Sequence, residues 1–401
     1  MDFPMAETSK HRIVVIGGGY AGLTTAARIG ENSSPADITL IDAKDQFVER
    51  IRLHEVAGGS IQRHLPYTDF MTARNGRFVQ ARVTEIDTAA QRVRLAPGAD
   101  IPDTIEYDTL VYAPGSFTDM WTVPGVDRFA AALDTLEDCR TLAAQLESLA
   151  QSGGRVLIAG GGLTAVEAAC EFGERLPGLN IVMAPGRNFG PGDTPGGLSR
   201  AGFDHVVATL GRLAVEIVSG MRIARVEADH AALENGDTIA FDLCLWAAGF
   251  LVPDLAAKAG IKVTSMGQIV TDETLASVSH PNILAVGDAA HIVTATAGKC
   301  RMSCAVGRPM GELAAKTVLS RLDGAPSDAF EFSYSFRCVS LGREDGLIQF
   351  VDTRDRPVEQ VWTGKRGAVW KEYICQRTLA GVGFDSPSNL GLPPDTPPQI
   401  D

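Results

Sequence analysis

Arg12-Ile13-Val14-Val15-Ile16-Gly17-Gly18-Gly19-Tyr20-Ala21-Gly22 decides how this chain of 401 residues is read. The five residues from Arg12 are rich in β-branched apolar side chains, as in a parallel strand buried on both faces. They run straight into G-x-G-x-x-G and then into a helical stretch, Leu23 to Ile29. In that context each glycine has a task. Gly17 permits the tight turn, Gly19 admits a pyrophosphate to the backbone, and Gly22 lets helix and strand pack closely, with Tyr20 and Ala21 opening the helix between them. The phosphates then lie at a helix N-terminus. A second strand, Ile38-Thr39-Leu40-Ile41, ends in Asp42, twenty residues after Gly22, the spacing at which a carboxylate meets a ribose diol.

The same grammar returns after Arg155-Val156-Leu157-Ile158-Ala159, where the chain reads Gly160-Gly161-Gly162-Leu163-Thr164-Ala165. Ala165 stands in the third position, which the pattern allows. One such turn is weak evidence. Two of them, each behind a five-residue apolar strand and ahead of an Ala-rich helix, predict two dinucleotides face to face.

Bulk composition narrows the class. The length calls for two or three domains, and 45% hydrophobic residues with 21% charged mark a globular protein. A formal charge of −13 argues against nucleic acid and anionic lipid as partners. Residues 1–11 hold no apolar signal region and no run of about 18 uncharged apolar residues occurs, so the cytoplasm is the expected compartment. Seven cysteines, with no C-x-x-C, suit reduced thiols better than a disulfide framework, and no metal-ligand spacing is found.

Strands alternate with helical patterns along most of the chain, which implies parallel sheets flanked by helices. Thr109-Leu110-Val111-Tyr112 closes on Ala113-Pro114-Gly115, and Leu243-Cys244-Leu245-Trp246 closes on Ala247-Ala248-Gly249 in the same way. Phe129 to Ser152 is helical by period. Ile283-Leu284-Ala285-Val286 delivers Gly287-Asp288, and a helix follows from about Cys304 to Arg321. Phe330 to about Ala380 is β-rich with a short helix around 368–379, and the proline-rich tail from Pro387 reads as disordered.

This constellation resembles the two-dinucleotide-binding-domain flavoproteins of the pyridine nucleotide-disulfide oxidoreductase superfamily. Within them it is similar to the type II NADH dehydrogenase and sulfide:quinone oxidoreductase branch, without the superfamily's disulfide motif. The resemblance covers residues 12 to about 380 and rests on the paired turns, the two strand endings and Gly287-Asp288. It implies an α/β fold of two Rossmann-like domains, the second inserted in the first, with a small C-terminal α+β domain. The expected boundaries are 1–118 and 249–325 for FAD, 119–248 for a nicotinamide dinucleotide, 326–385 for the C-terminal domain and 386–401 for the tail.

By the same resemblance FAD lies on the first turn with Asp42, Lys44, Arg50, Val83, Ala113 and Gly115 around it, Asp288 on its ribityl chain and the helix at Cys304 aimed at its pyrimidine edge. Arg50 would offset pyrophosphate charge, or else belong to a salt-bridged face with Glu49 and Glu55. Glu167, five residues beyond Gly162, matches a glutamate placed near flavin and nicotinamide. There its buried carboxyl would have a raised pKa and relay protons, or serve as a first-turn helix glutamate. Glu171, one turn on, is read as structural. His54 is the histidine available as a pocket acid or base.

Two departures bear on function. After Asn180-Ile181-Val182-Met183 the ribose carboxylate is replaced by Ala184-Pro185-Gly186-Arg187, which tilts the second site towards NADPH through Arg187, or leaves it degenerate. The glutamines of the family's quinone motif are replaced by Ser303-Cys304-Ala305-Val306-Gly307-Arg308. Cys300 and Cys304, four apart, are a redox pair or ordinary packing thiols. The stretch Lys365 to Ile374, one short helix with Lys and Trp, suits a lipid contact, closure of the flavin site or a homodimer contact, and does not support stable membrane anchoring. The expectation is an FAD-dependent oxidoreductase passing electrons from NAD(P)H to a quinone-like or other small-molecule acceptor. Its rivals are a nicotinamide-independent flavin oxidase or dehydrogenase acting on a specialised metabolite, and a redox-sensing flavoprotein.

Overall fold

Each glycine turn lies at the carboxyl edge of its own five-stranded parallel sheet. The computed structural model describes residues 10–32, 36–98, 101–192 and 196–385, so the tail lies outside the described residues. The first sheet runs Ile283–Ala285, Thr109–Tyr112, His11–Ile16, Ala36–Asp42, Arg77–Gln80. The second runs Glu216–Ser219, Asn180–Gly186, Arg155–Ala159, Leu243–Trp246, Ala130–Ala131. All strands of the second sheet fall between Thr109–Tyr112 and Ile283–Ala285 of the first, so the second unit is inserted in the first. The two crossing segments pair as an antiparallel ribbon, Phe117–Thr118 with Phe250–Leu251.

The long helices are α1 (Tyr20–Gly30), α2 (Leu136–Ser152), α3 (Leu163–Arg175), α4 (Arg200–Arg212), α5 (Cys304–Leu322) and α6 (Gly364–Val382). Ile13, Val14 and Val15 are fully buried in one core with residues of α1, α5 and the antiparallel strands that carry Ile86, Val93 and Ile105, which is why their run shows no polar alternation. The turns need glycine for steric reasons. Gly17 has φ +97° and Gly160 φ +138°, and a Cβ on either would strike the carbonyl of Ala113 or Ala247 at the end of the neighbouring strand.

One expected element differs. The helix predicted over Phe129 to Ser152 begins only at Leu136, because Thr135 caps it by accepting a hydrogen bond from Asp138 N at 3.0 Å. Ala130–Ala131 instead adds an edge strand to the second sheet.

The C-terminal region is an antiparallel sheet, Phe336–Ser340, Gly346–Val351 and Pro357–Trp362, covered by α6. It is pinned to the inserted unit through Asp345, which takes hydrogen bonds with His205 Nε2 and Thr209 Oγ1, each at 2.9 Å. Residues 332–338 and one face of α6 lie on the same cavity wall as the first turn and the start of α3. Helix α6 is 19 residues long rather than short. Its Trp370 packs against Trp362 and Tyr373 and is 3% exposed, so this aromatic faces inward.

Candidate active site

A cavity of about 590 Å³ opens where the first turn, the start of α3, the N-terminus of α5 and one face of α6 converge. At its first end the backbone of Gly17, Gly18 and Gly19 forms the floor. A Cβ on Gly19 would meet nothing within 4 Å, so this is the open face of the turn. Asp42 is fixed at the turn: its Oδ2 accepts from Gly18 N at 2.7 Å and its Oδ1 from Lys44 N at 2.9 Å. Those bonds leave lone pairs for a diol. Tyr67 donates from its hydroxyl to Gly18 O at 2.8 Å and supports the loop from behind.

Deeper in, Ala113 and Gly115 follow the Thr109–Tyr112 strand on the cavity wall. Ser116 Oγ donates to Asp288 Oδ2 at 2.7 Å, and Gln268 Nε2 donates to Asp288 O at 2.9 Å. Gly287, with φ +67°, makes the bend that presents this carboxylate to the cavity. Cys304 opens α5 on the same wall, behind Ser303 as N-cap residue.

The residues present fit FAD. Beyond the open glycine backbone, the Tyr20 hydroxyl, Ser303 Oγ and His54 Nε2 are buried on the cavity wall without a hydrogen-bond partner among the described residues. Buried polar atoms left in this way are costly unless a ligand or water meets them. These are groups a polar cofactor can satisfy.

Arg50 lines the cavity, but its guanidinium donates to Ser116 O and, at 3.0 Å, to Asp134 Oδ1. The salt-bridged face expected of this region belongs instead to Arg52, which meets Glu49 at 3.3 Å, Glu55 at 3.1 Å and Glu372 at 2.7 Å. Val83 starts the antiparallel strand Val83–Asp87 and packs against the core of the first sheet, and it is not among the residues of the cavity wall. Gly160, Gly162 and Ala165 form the second turn beside the cavity, with Leu163, Thr164 and Glu167 of α3 reaching its wall.

At Glu167 an expectation is corrected. Its Oε1 accepts from Lys371 Nζ at 2.9 Å and from Ser340 N at 3.0 Å. Burial works to raise its pKa, but the Lys371 ammonium and the Ser340 N–H outweigh burial, so the carboxyl titrates below its ordinary range rather than above it. Lys371 is held well above its usual value, because the pull of Glu167 overcomes the cost of burial. His54 is 4% exposed, and burial pushes its pKa down, leaving a neutral imidazole at neutral pH.

Glu171, read as structural, has a raised pKa. It is fully buried, faces Arg343 at 2.8 Å without hydrogen-bond geometry, and burial pushes its pKa up to about 7.

Several wall residues escaped the sequence reading. Lys371, Ile374, Cys375 and Thr378 line the cavity at the i, i+3, i+4, i+7 spacing of one helix face, a signal present in the sequence. Cys304, Cys338 and Cys375 reach the wall from three different elements, and burial raises the pKa of each. All seven cysteines are free, Cys300 and Cys304 included. Among the described residues no cluster has the makings of a metal site and no helix is long and apolar enough to cross a membrane. At the second turn, Arg187 lies on the surface and pairs with Glu234.

Two parallel sheets whose glycine turns flank one cavity define an oxidoreductase built from paired dinucleotide-binding units. The family described as pyridine nucleotide-disulphide oxidoreductase matches residues 11–309, and the chain belongs to it; it is an FAD-dependent NAD(P)H oxidoreductase. It is similar to an NADH dehydrogenase-like protein of Mycobacterium tuberculosis, 29% identical over 355 residues, or 82% of this chain and 86% of the relative. A demethylphylloquinone reductase of Synechocystis is 29% identical over 297 residues, 70% of this chain and 72% of the relative. The structure of the sulfide:quinone oxidoreductase of Aquifex aeolicus shares the fold, with a TM-score of 0.77 at 21% identity over 93% of this chain and 91% of the other.

Proposed function

We propose that the chain carries electrons from NAD(P)H through FAD to a quinone-like small molecule, with Glu167 and Lys371 managing the proton. The observation that carries this reading is the single cavity joining the first glycine turn, the start of α3 and the wall formed by α5 and α6. Similarity to a demethylphylloquinone reductase supports the acceptor class. FAD, when bound, supplies the centre that takes up a hydride and delivers two electrons. The balance is NAD(P)H + H⁺ + quinone → NAD(P)⁺ + hydroquinone, so each turnover draws one proton from protein or solvent.

In the resting pair Glu167 is a carboxylate and Lys371 an ammonium, so Lys371 Nζ is the atom with a proton to give. Its raised pKa keeps that proton in place until an oxyanion forms to accept it. Glu167 Oε1 and Ser340 N hold the geometry from behind. His54, uncharged and unpartnered at Nε2, offers the wall a neutral hydrogen-bonding group.

For the nucleotide, Glu234 changes what Arg187 means. A guanidinium already facing a carboxylate pulls less on a 2′-phosphate, and Glu234 repels that phosphate directly. The preference for NADPH expected from Arg187 alone gives way, in this reading, to weak discrimination. We place the enzyme in the cytoplasm, where NAD(P)H is supplied, acting on a dissolved acceptor.

The test is oxidation of NADH and NADPH by 2-methyl-1,4-naphthoquinone with the purified yellow protein. One hydroquinone per nucleotide is expected. No nucleotide oxidation, from a protein whose flavin other reductants still bleach, would favour a nicotinamide-independent flavin oxidase or dehydrogenase.

A further inference from the structure

The C-terminal wall of the cavity carries one positive charge that nothing on that wall offsets. Asp355, 1% exposed, sits between two guanidinium groups. Arg337, 3% exposed, donates from Nε to Asp355 Oδ1 at 3.1 Å, and its Nη2 and Nη1 are taken up by the carbonyls of Asp355 and Gly197. Arg301 donates from Nε to Asp355 Oδ2 at 2.7 Å. Two arginines against one carboxylate leave a net charge of +1. The other ionic pair on this wall, Lys371 with Glu167, is neutral overall.

The surplus resides at Arg301. Arg337 is spent on its three partners, whereas Nη1 and Nη2 of Arg301 meet no acceptor among the described residues, and its side chain is 31% exposed on the cavity wall. The guanidinium is also preset. Asp355 fixes Nε, the Tyr334 ring lies 5.4 Å from Cζ, and the Arg301 backbone N donates to Tyr334 Oη at 2.9 Å. A clamp on the Asp352–Arg356 turn needs only Nε. A planar fork with both terminal nitrogens free is suited to a carboxylate or an enolate. Beside it, Phe332, Tyr334 and Phe336 bring three aromatic residues to the same wall at alternate positions.

We propose that Arg301 is an anion subsite of the acceptor pocket, and that the acceptor is a planar conjugated molecule bearing an acidic substituent. The proposal deepens the quinone-like reading and rests on it for turnover, though not for binding. It accounts for a pocket that has lost the two glutamines of the quinone motif and has Arg301 two residues before Ser303.

The experiment titrates the oxidised holoenzyme with 2-naphthoate and its uncharged isostere 2-naphthamide, following the flavin absorbance. The wild type should bind the naphthoate at least about tenfold more tightly, Arg301→Met should abolish the difference and Arg301→Lys should keep part of it. In turnover, Arg301→Met should raise KM for 2-hydroxy-1,4-naphthoquinone, an anion at neutral pH, about tenfold. KM for the neutral 2-methyl analogue and the rate of flavin reduction by NAD(P)H should stay within about twofold. Equal wild-type binding of acid and amide, or equal weakening of both by the substitution, would overturn the subsite. Altered flavin reduction in Arg301→Met would overturn it too, by assigning the charge to the flavin edge. Wild-type flavin that neither nucleotide reduces would instead sink the proposed function, and the titration would still decide the subsite.

Discussion

The two dinucleotide-binding units share one backbone plan and differ at the residue of the second strand that lies beside the glycine turn, Asp42 in one and Pro185 in the other. In the first, the strand ends in Asp42, whose carboxylate accepts from the Gly18 N–H and so becomes part of the turn. In the second, the same corner is filled by Pro185, whose carbonyl would meet a Cβ on Gly161 at 2.6 Å, and the charged residues are Arg187 and Glu234 on the surface. Glycine spacing therefore builds the turn, while grip and selectivity come from the residue at the end of the next strand. The first unit holds its carboxylate in place; the second borrows one from a distant hairpin, where it is already paired.

The largest effects should come from breaking one turn at a time. Gly17→Ala adds a methyl group against the Ala113 carbonyl at φ +97°, and the expected product is a colourless or insoluble protein. Gly160→Ala should leave the protein yellow but slow flavin reduction by NAD(P)H by roughly 100-fold, since only the second turn is distorted. Loss of FAD from the second variant as well would deny that the two turns hold separate ligands.

Next in size is the proton pair. Lys371→Met should lower quinone turnover by about 10²-fold with flavin reduction largely intact, the scale of a lost general acid. Because Glu167 titrates below the ordinary carboxylate range, wild-type turnover should be flat through neutral pH and lose activity only in acid, as Glu167 takes up a proton and releases Lys371. An activity limb near pH 6 to 7 assigned to Glu167 would contradict this.

Smaller again, Glu234→Gln should shift the NADPH-to-NADH ratio of kcat/KM towards NADPH by about tenfold, by freeing Arg187 and removing a repulsion. The smallest effect lies outside the comparison, at Glu171. Its folded pKa of about 7 exceeds the ordinary carboxylate value, so the folded state holds the extra proton and stability falls as pH rises towards and through 7. Glu171→Gln should then raise Tm by a few degrees at pH 8 and by little at pH 5. A uniform shift at both pH values would show that packing, and not ionisation, was changed.

Legibility in the sequence followed the range of the interactions. The turns and Asp42 were readable because the Gly18 N–H lies at a fixed spacing from Asp42, whereas Ala113, Gly115 and Asp288 were reached only through the family resemblance, since Ser116 lies 172 residues from Asp288. The sign of the Glu167 shift was not, since Lys371 lies 204 residues further on and only the folded C-terminal sheet brings it close. The cavity face of α6 could have been found from the spacing of Lys371, Ile374, Cys375 and Thr378, but the same segment also reads as a surface helix with Lys and Trp. Arg301 gave no signal, because its meaning depends on Asp355, 54 positions away. The start of α2 was misplaced because Leu133, which fits the helical period of Leu136 and Leu142, lies before the Thr135 cap.

Both turns should serve one redox cavity, and anaerobic rapid mixing of the yellow protein with NADH or NADPH is the decisive measurement. Oxidised-flavin absorbance should fall with both nucleotides at comparable rates. Absorbance unchanged by either would mean that the second turn is architectural and that the cavity does not join two dinucleotides.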